Sequence, residues 1–270
     1  RMPIELDRAR ALSVARDAAR EAAILLREGQ RGELRVEHKG AVDLVTDYDR
    51  RSELRVIERL RAAFPDHRVV GEESGGHGGD GSDRPVWYVD PLDGTTNYAH
   101  RLPWYSVSLA LELRGEAQVG LVLAPELGWE FAAVRGEGAR LDGRPIRVSA
   151  TAELRASLLG TGFPYDRSRF DNVDNVRAAL RAAQSVRRIG SAALDLCMVA
   201  AGWLDGYWEF TLNPWDMAAG ALMVQEAGGR LTSVGGSDYS ATGGNVIATN
   251  GLIHDALAEI ISYDVYEEQA

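Results

Sequence analysis

At 270 residues, 45% of them hydrophobic and 26% charged, the chain can bury one large core or two joined compact units and is too apolar to stay disordered. Thirty Lys and Arg against 40 Asp and Glu leave a formal charge of -10, which argues against a basic nucleic-acid surface. An anionic substrate would need local positive charge, and a bound metal would provide it. The single cysteine, Cys197, excludes an intrachain disulfide and a C-x-x-C zinc cluster, and it reads as buried helix packing.

In chain order, a first helix is predicted from about Ile4 to Arg27, with Leu12, Ala15, Ala19, Ala22 and Ala23 as a small-residue face and Gly29 and Gly32 marking its exit. V-D-L-V-T-D-Y-D (42–49) begins extended, and its polar end leads into a helix over roughly Arg51–Ala63, stopped by Pro65. A short strand at Val69 and Val70 leaves Glu72 and Glu73 just beyond it. Five glycines in the eight residues from Gly75 to Ser82 predict a mobile loop.

W-Y-V-D-P-L-D-G-T-T-N-Y-A-H (87–100) reads as a strand ending at Asp90, broken by Pro91 and followed by a polar turn. Residues 104–148 show strand periodicity in Y-S-V-S-L-A-L-E-L, V-G-L-V-L-A-P, W-E-F-A-A-V and I-R-V, a largely antiparallel meander. The second half alternates: strands at Ser157–Gly160, Val186–Ile189 and Asp205–Phe210, helices at Arg169–Gln184, Ser191–Ala201 and Asp216–Ala227. A last strand, N-V-I-A-T, precedes the helix H-D-A-L-A-E-I, for which Asn250 is placed as a cap. Helices followed by a sheet, then alternation, predict an N-terminal α+β domain over 1–146 and a C-terminal α/β domain over 147–270. No long uncharged apolar span and no secretory leader is evident, so a cytoplasmic protein without a membrane partner is expected.

Asp49, Glu72, Asp90, Asp93 and Asp216 all fall at ends of predicted elements. Two acids three residues apart, Asp90 and Asp93, cannot both be desolvated as bare charges, and a hard cation between them removes the conflict. Oxygen-rich ends converging from distant segments suit Mg²⁺; no D-x-D-x-D-G loop favours calcium. Gly94 lets the backbone approach a phosphate without a Cβ clash, and the neighbouring amides can cradle its oxygens. A tight turn followed by a helix cap explains the same residues. Thr95 carries a hydroxyl that can receive a proton from water and donate one onward. Trp215 reads as packing rather than stacking.

G-E-E-S (71–74), D-P-L-D-G-T-T-N (90–97) and N-P-W-D (213–216), in that order, resemble the inositol monophosphatase family of lithium-sensitive, magnesium-dependent phosphatases. V-D-L-V-T before Asp49, G-S-A-A-L-D (190–195) and E-A-G-G (226–229) extend the resemblance over nearly the whole chain. It implies an α/β sandwich with alternating α-β-α-β-α layers, N-terminal helices with an antiparallel sheet, a C-terminal α/β unit and a homodimer. By that resemblance, Glu72, Asp90 and the Leu92 carbonyl hold one Mg²⁺, and Asp90, Asp93 and Asp216 a second. The resemblance also allows a weaker third ion near Glu72, two or three ions in all, and Mn²⁺ in place of Mg²⁺.

Asp49, Glu72 and Thr95 would activate water. Asp93, Gly94, Thr95, Gly190, Ser191, Ala192, Glu209 and Asp216 would contact the substrate, with Glu209 accepting from its hydroxyls. A lysine near the site in several family members matches Lys39, in uncertain register, and His38 reads as surface charge. Arg167 and Arg169 could meet a further phosphate or decorate the surface, and Arg187 and Arg188 stand beside the implied pocket with the same surface alternative. The implied reaction is hydrolysis of myo-inositol monophosphate. Fructose-1,6-bisphosphate, histidinol phosphate and adenosine 3′,5′-bisphosphate are alternative substrates, and D-G-T-T-N resembles the inositol enzymes more than the nucleotide-directed D-G-T-K form. A metal-dependent interaction protein on the same fold is the non-enzymatic alternative. The expected partner is a small phosphorylated polyol, with no nucleic-acid polymer.

Overall fold

The computed structural model describes residues 6–32, 36–38, 44–75, 84–168 and 170–263. Its first helix, α1 (Arg8–Arg31), is capped by Asp7, whose carboxylate accepts from the Arg10 amide at 2.9 Å. Ala11, Ala15, Ala18, Ala19 and Ala22 line its buried face, and Gly29 lies inside the helix rather than at its exit. Gly29 belongs there because a Cβ would overlap the Tyr98 hydroxyl.

Strands β1 (Val36–His38) and β2 (Leu44–Thr46) form an antiparallel pair, followed directly by α2 (Asp47–Ala63). That helix starts four residues earlier than its sequence suggests, because Thr46 caps it and Asp49 closes the first turn.

Strands β3 (Arg68–Gly71), β4 (Val86–Asp93), β5 (Ser106–Leu113), β6 (Glu116–Ala124), β7 (Trp129–Val134), β8 (Gly138–Leu141) and β9 (Arg144–Pro145) make one seven-stranded sheet in that order. Only the β3–β4 pairing is parallel. The predicted break at Pro91 does not occur: β4 continues to Asp93, with the register against β5 shifting between Asp90 and Asp93. An irregularity there absorbs the amide that proline lacks. The predicted strand I-R-V is loop after β9.

A short helix, α3 (Thr95–Ala99), follows β4, and the second half contributes β10 (Leu158–Thr161), α4 (Val173–Ala182), β11 (Ser185–Arg187), α5 (Ala192–Ala200) and β12 (Gly206–Phe210). It closes with α6 (Pro214–Glu226), β13 (Arg230–Thr232), β14 (Asn245–Thr249) and α7 (His254–Ile260). The second sheet runs β11-β10-β12-β14-β13 and is mixed: β10 is parallel to both neighbours, and β14 antiparallel to β12 and β13.

Period-two alternation explains the layering. On β4, Trp87 and Val89 pack with α1 and α2, while Val86 and Tyr88 face α5 and α6. On β12, Tyr207 faces α5 and α6, and Trp208 and Phe210 join Ala179 and Leu257 of α4 and α7. The result is an α/β sandwich of five layers: α1/α2, large sheet, α5/α6, second sheet, α4/α7. Small residues allow α6 to sit close to the large sheet: a Cβ on Gly120 of β6 would lie 3.0 Å from the Ala219 carbonyl. No helix among the described residues is long and apolar enough to cross a membrane.

Candidate active site

The sandwich brings the ends of β3 and β4 together with the N-termini of α2, α3, α5 and α6, and each helix start fixes a polar side chain. At α2, the Asp49 Oδ2 accepts from the Thr46 amide at 2.9 Å and from its hydroxyl at 2.5 Å. Asp49 is fully buried, and burial pushes its carboxyl up to about 6 against the lowering pull of the Thr46 bonds. At α6, Asp216 Oδ2 accepts from the Asn213 amide at 2.6 Å, the same closure of a first helical turn. Gly94 caps α3 at φ +94°, and a Cβ there would meet the Trp104 carbonyl at 2.9 Å. Thr95 then starts α3, its hydroxyl donating to Asp49 Oδ1 at 3.2 Å and to the Leu92 carbonyl at 3.0 Å.

Asp93 connects the end of β4 to α5. Its Oδ1 accepts from the Ala192 amide at 3.2 Å; its Oδ2 accepts from the Ala193 amide at 2.9 Å and from the Ser191 hydroxyl. These donors, aided by the positive end of α5, hold down a carboxyl that burial raises to about 6. Asp90 is 2% exposed and lies well above the usual carboxylate range, first through burial and then through the charges of Glu72, Asp93 and Asp216. Asp216 is raised by burial and then by Glu72.

Glu72, Asp90, Leu92, Asp93, Gly94, Thr95 and Asp216 line one open cavity of about 150 Å³, together with Gly190, Ala192 and Glu209. Glu209 is pushed up to about 7 by burial, opposed by the Tyr207 hydroxyl that donates to its Oε2. Two proposed residues stand outside this lining: Asp49 lies behind Thr95, and the Ser191 hydroxyl is turned to Asp93. Arg188 lines the cavity, whereas Arg187 bonds Ser185 and Arg167 lies 5.6 Å over the Phe163 ring. Lys39, Arg169, the 76–82 part of the glycine loop and the His38 side chain lie outside the described residues. Trp215 packs against the middle core, its carbonyl accepting from Ser108 at 3.1 Å.

Three contributors escaped the sequence reading. Phe163, Pro164 and Tyr165, in the loop after β10, form a cavity wall and carried no motif. Asn97 Nδ2 donates to the carbonyls of Trp104 at 2.7 Å and Ile189 at 2.9 Å, tying the D-G-T-T-N turn to the Gly190 loop. Glu53, 2% exposed, accepts from the amides of Glu73 and Ser74 at 2.7 Å each and so shapes the G-E-E-S turn that carries Glu72. A signal existed for Glu53: it falls on the same helical stripe as Val56, Ile57 and Leu60, where an acid must have partners. Glu53→Ala is expected to lower turnover about 10–100-fold, as loss of an outer hydrogen-bonding partner does. Steady-state kinetics on a variant with native circular dichroism checks it; unchanged turnover rejects the role.

The acids offer only hard oxygen donors, which suit a divalent cation of the magnesium type. Among the described residues, no three His, Cys, Asp or Glu side chains are gathered tightly enough to hold a metal ion. Asp90, Asp93 and Asp216 instead each accept from nearby backbone amides. The fit is chemical: buried like charges that raise one another's proton affinity are what a dication neutralises.

A five-layer sandwich with acids and a Thr–Asp pair at the helix starts defines the class of metal-dependent phosphomonoesterases. The chain belongs to the inositol monophosphatase family, whose model matches residues 7–265. It is 45% identical over 231 residues to the inositol-1-monophosphatase of Synechocystis, covering 84% of this chain and 80% of that protein. The solved inositol monophosphatase of Anabaena superposes with a TM-score of 0.85 at 40% identity, covering 93% of this chain and 95% of that one. Nus factor SuhB of Pseudomonas aeruginosa is 43% identical over 258 residues, 93% of this chain and 95% of that protein.

This last name corrects one expectation. The acidic balance led to the exclusion of a nucleic-acid partner, yet several other relatives at 40 to 43% identity also carry the name Nus factor SuhB or its putative form. A charge of -10 argues only against a basic groove on this chain. It does not bear on membership of an assembly whose other components contact nucleic acid.

Proposed function

We propose that the protein hydrolyses phosphate monoesters of small polyols, myo-inositol monophosphate foremost, in a Mg²⁺-dependent reaction in which Mn²⁺ can replace Mg²⁺. The observation that carries this reading is the Thr95 hydroxyl, bonded to buried Asp49 at the edge of a cavity lined by Glu72, Asp90, Asp93, Asp216 and Glu209. Glu72, Asp90 and the Leu92 carbonyl would hold one ion, Asp90, Asp93 and Asp216 a second, and the Glu72 side a weaker third. The cations supply positive charge and Lewis acidity toward the phosphoryl oxygens.

The chain's own residues perform the rest. Thr95, donating to Asp49, keeps a lone pair free to accept a proton from water, and Asp49, held up to about 6, is a base near its working range. Glu72 orients that water as its oxygen attacks phosphorus; the P–O bond to the alcohol breaks, the departing oxygen takes a proton from a second water, Asp49 returns its own to solvent, and alcohol and inorganic phosphate leave. Gly94 and Thr95 place backbone amides beside the phosphate, and Glu209 Oε1 accepts from a substrate hydroxyl. The name of the Synechocystis relative supports inositol monophosphate as the substrate.

Phosphate release at saturating Mg²⁺ from inositol, fructose, histidinol and nucleotide phosphates tests the reading. The inositol ester is expected to give the highest kcat/KM, and release from none of them would sink the enzymatic assignment. The Nus factor name of the relatives supports a second reading, a role in a nucleic-acid-associated assembly. A hydrolysis-dead variant that still restores the assembly's output would separate the two roles.

A further inference from the structure

Asp195, in the first turn of α5, is a buried carboxylate that the proposed reaction does not use. It is 1% exposed, and among the described residues neither of its oxygens has a hydrogen-bond partner. A buried polar group left unpaired costs roughly 1–3 kcal/mol, so its surroundings call for explanation.

Those surroundings are built around two glycines. Gly160, on β10, is paired in register with Tyr207 of β12. The place a Cβ would take on Gly160 is closed by Asp195 Oδ1 and Leu204 Cδ1, each at 2.8 Å, and by Tyr207 Cδ2 at 3.4 Å. Two residues on, a Cβ on Gly162 would overlap the Glu209 carboxylate. By strand alternation, Tyr207 and Glu209 share the face of β12 turned to α5. The glycines thus open a trough that admits Asp195, the Tyr207 ring and the Glu209 carboxylate side by side. The Tyr207 hydroxyl donates to Glu209 Oε2. Glu209 lines the cavity; Asp195 does not. Burial lifts the Asp195 carboxyl well above the usual range, and the charges of Glu209 and then Asp93 add to it, while Arg188 opposes them.

We propose that Asp195 is a positioning residue for substrate selectivity: lodged in the Gly160–Gly162 trough, it holds the Tyr207–Glu209 pair against the cavity. Preference for hydroxyl-bearing phosphate esters then depends on a side chain that does not touch the substrate. This rests on reading the cavity as a polyol phosphate site. On that reading Glu209 meets the alcohol part of the substrate, whereas the phosphoryl group meets Glu72, Asp90, Asp93 and Asp216. Disturbing Asp195 therefore alters recognition of the alcohol and spares the reaction at phosphorus.

The test compares Asp195→Ala, Asp195→Asn and Gly160→Ala with the unaltered protein on myo-inositol 1-phosphate and on 4-nitrophenyl phosphate, whose leaving group has no further hydroxyl for Glu209. Asp195→Ala is expected to raise KM for the inositol ester about tenfold, the scale of one lost hydrogen bond, with kcat within about twofold. Its kcat/KM on the aryl ester stays within about twofold. Asp195→Asn keeps the shape and is expected to restore KM to within about threefold. Gly160→Ala, which drives Oδ1 out of the trough, is expected to follow Asp195→Ala and carries the comparison if the latter does not fold. Equal losses on both esters, or an unchanged KM for the inositol ester, assign Asp195 to core packing alone and overturn the inference. If the unaltered protein hydrolyses neither ester, the functional reading itself fails.

Discussion

Asp90→Asn is expected to lower Mg²⁺-dependent phosphate release by at least about 100-fold, the loss typical of removing a charged group that acts in the transition state, while making the metal-free protein more stable. The two effects share one cause. Asp90 is 2% exposed, and its carboxyl is raised by burial and then by Glu72, Asp93 and Asp216. Without a cation, ionising Asp90 near neutral pH works against folding; an amide of the same shape has no charge to desolvate, and its oxygen can still accept from the Leu92 amide, bonded at 2.9 Å in the native protein.

A gain of about 1–3 kcal/mol follows, equivalent to roughly 2–5 °C in melting temperature for a chain of this size. Adding Mg²⁺ should raise the melting temperature of the unaltered protein by mass action and leave that of Asp90→Asn nearly unmoved. Thermal unfolding with EDTA and with Mg²⁺, beside a phosphate-release assay, reads both parts. A variant that keeps its Mg²⁺-dependent turnover, or responds fully to Mg²⁺, removes Asp90 from the proposed site.

The acids of the site were legible because their constraint is local. Asp49, Asp90, Asp93 and Asp216 stand beside turn formers or helix starts, and the chain order of their motifs resembled one family. The five-layer order was less local and came only from that resemblance; the alternation within β4 and β12 accounts for it once the packing is seen. Element boundaries failed where a side chain extends a regular element: Thr46 starts α2 four residues early, and the irregularity at Pro91 lets β4 run on to Asp93. The cavity wall at Phe163–Tyr165 was not legible, because only tertiary packing brings the loop after β10 opposite β3 and β4. Asn97 stood inside a quoted motif, but its partners Ile189 and Gly190 lie more than ninety residues away. The charge of -10 misled for a different reason: it describes the whole chain and says nothing about which assembly the folded surface joins.

In the metal-free protein, stability is expected to fall as pH rises from about 4 to about 7, and Mg²⁺ is expected to reverse much of that loss. The sign follows from proton uptake. Asp49 and Asp93 are raised from the ordinary 3.8 to about 6, and Glu209 from 4.5 to about 7, burial being the largest cause in each. Between the unfolded and folded values the native state binds more protons than the unfolded chain, so each group's stabilising contribution is complete below about pH 4 and gone above its folded value. A shift of about two units corresponds to roughly 3 kcal/mol per group, an upper scale for three acids that share one pocket.

Metal binding competes with those protons, so the stabilisation given by Mg²⁺ grows with pH, and its Kd tightens about tenfold per pH unit for each proton released. Urea unfolding at pH 5, 6, 7 and 8, with EDTA and with a fixed excess of Mg²⁺, measures the difference directly and cancels ion pairs elsewhere in the molecule. The increment from Mg²⁺ should rise steeply between pH 5 and 7. A pH-independent increment would mean that the acids are already ionised before the cation arrives, and the charge conflict at Asp90 and Asp93 would no longer explain why a dication belongs there.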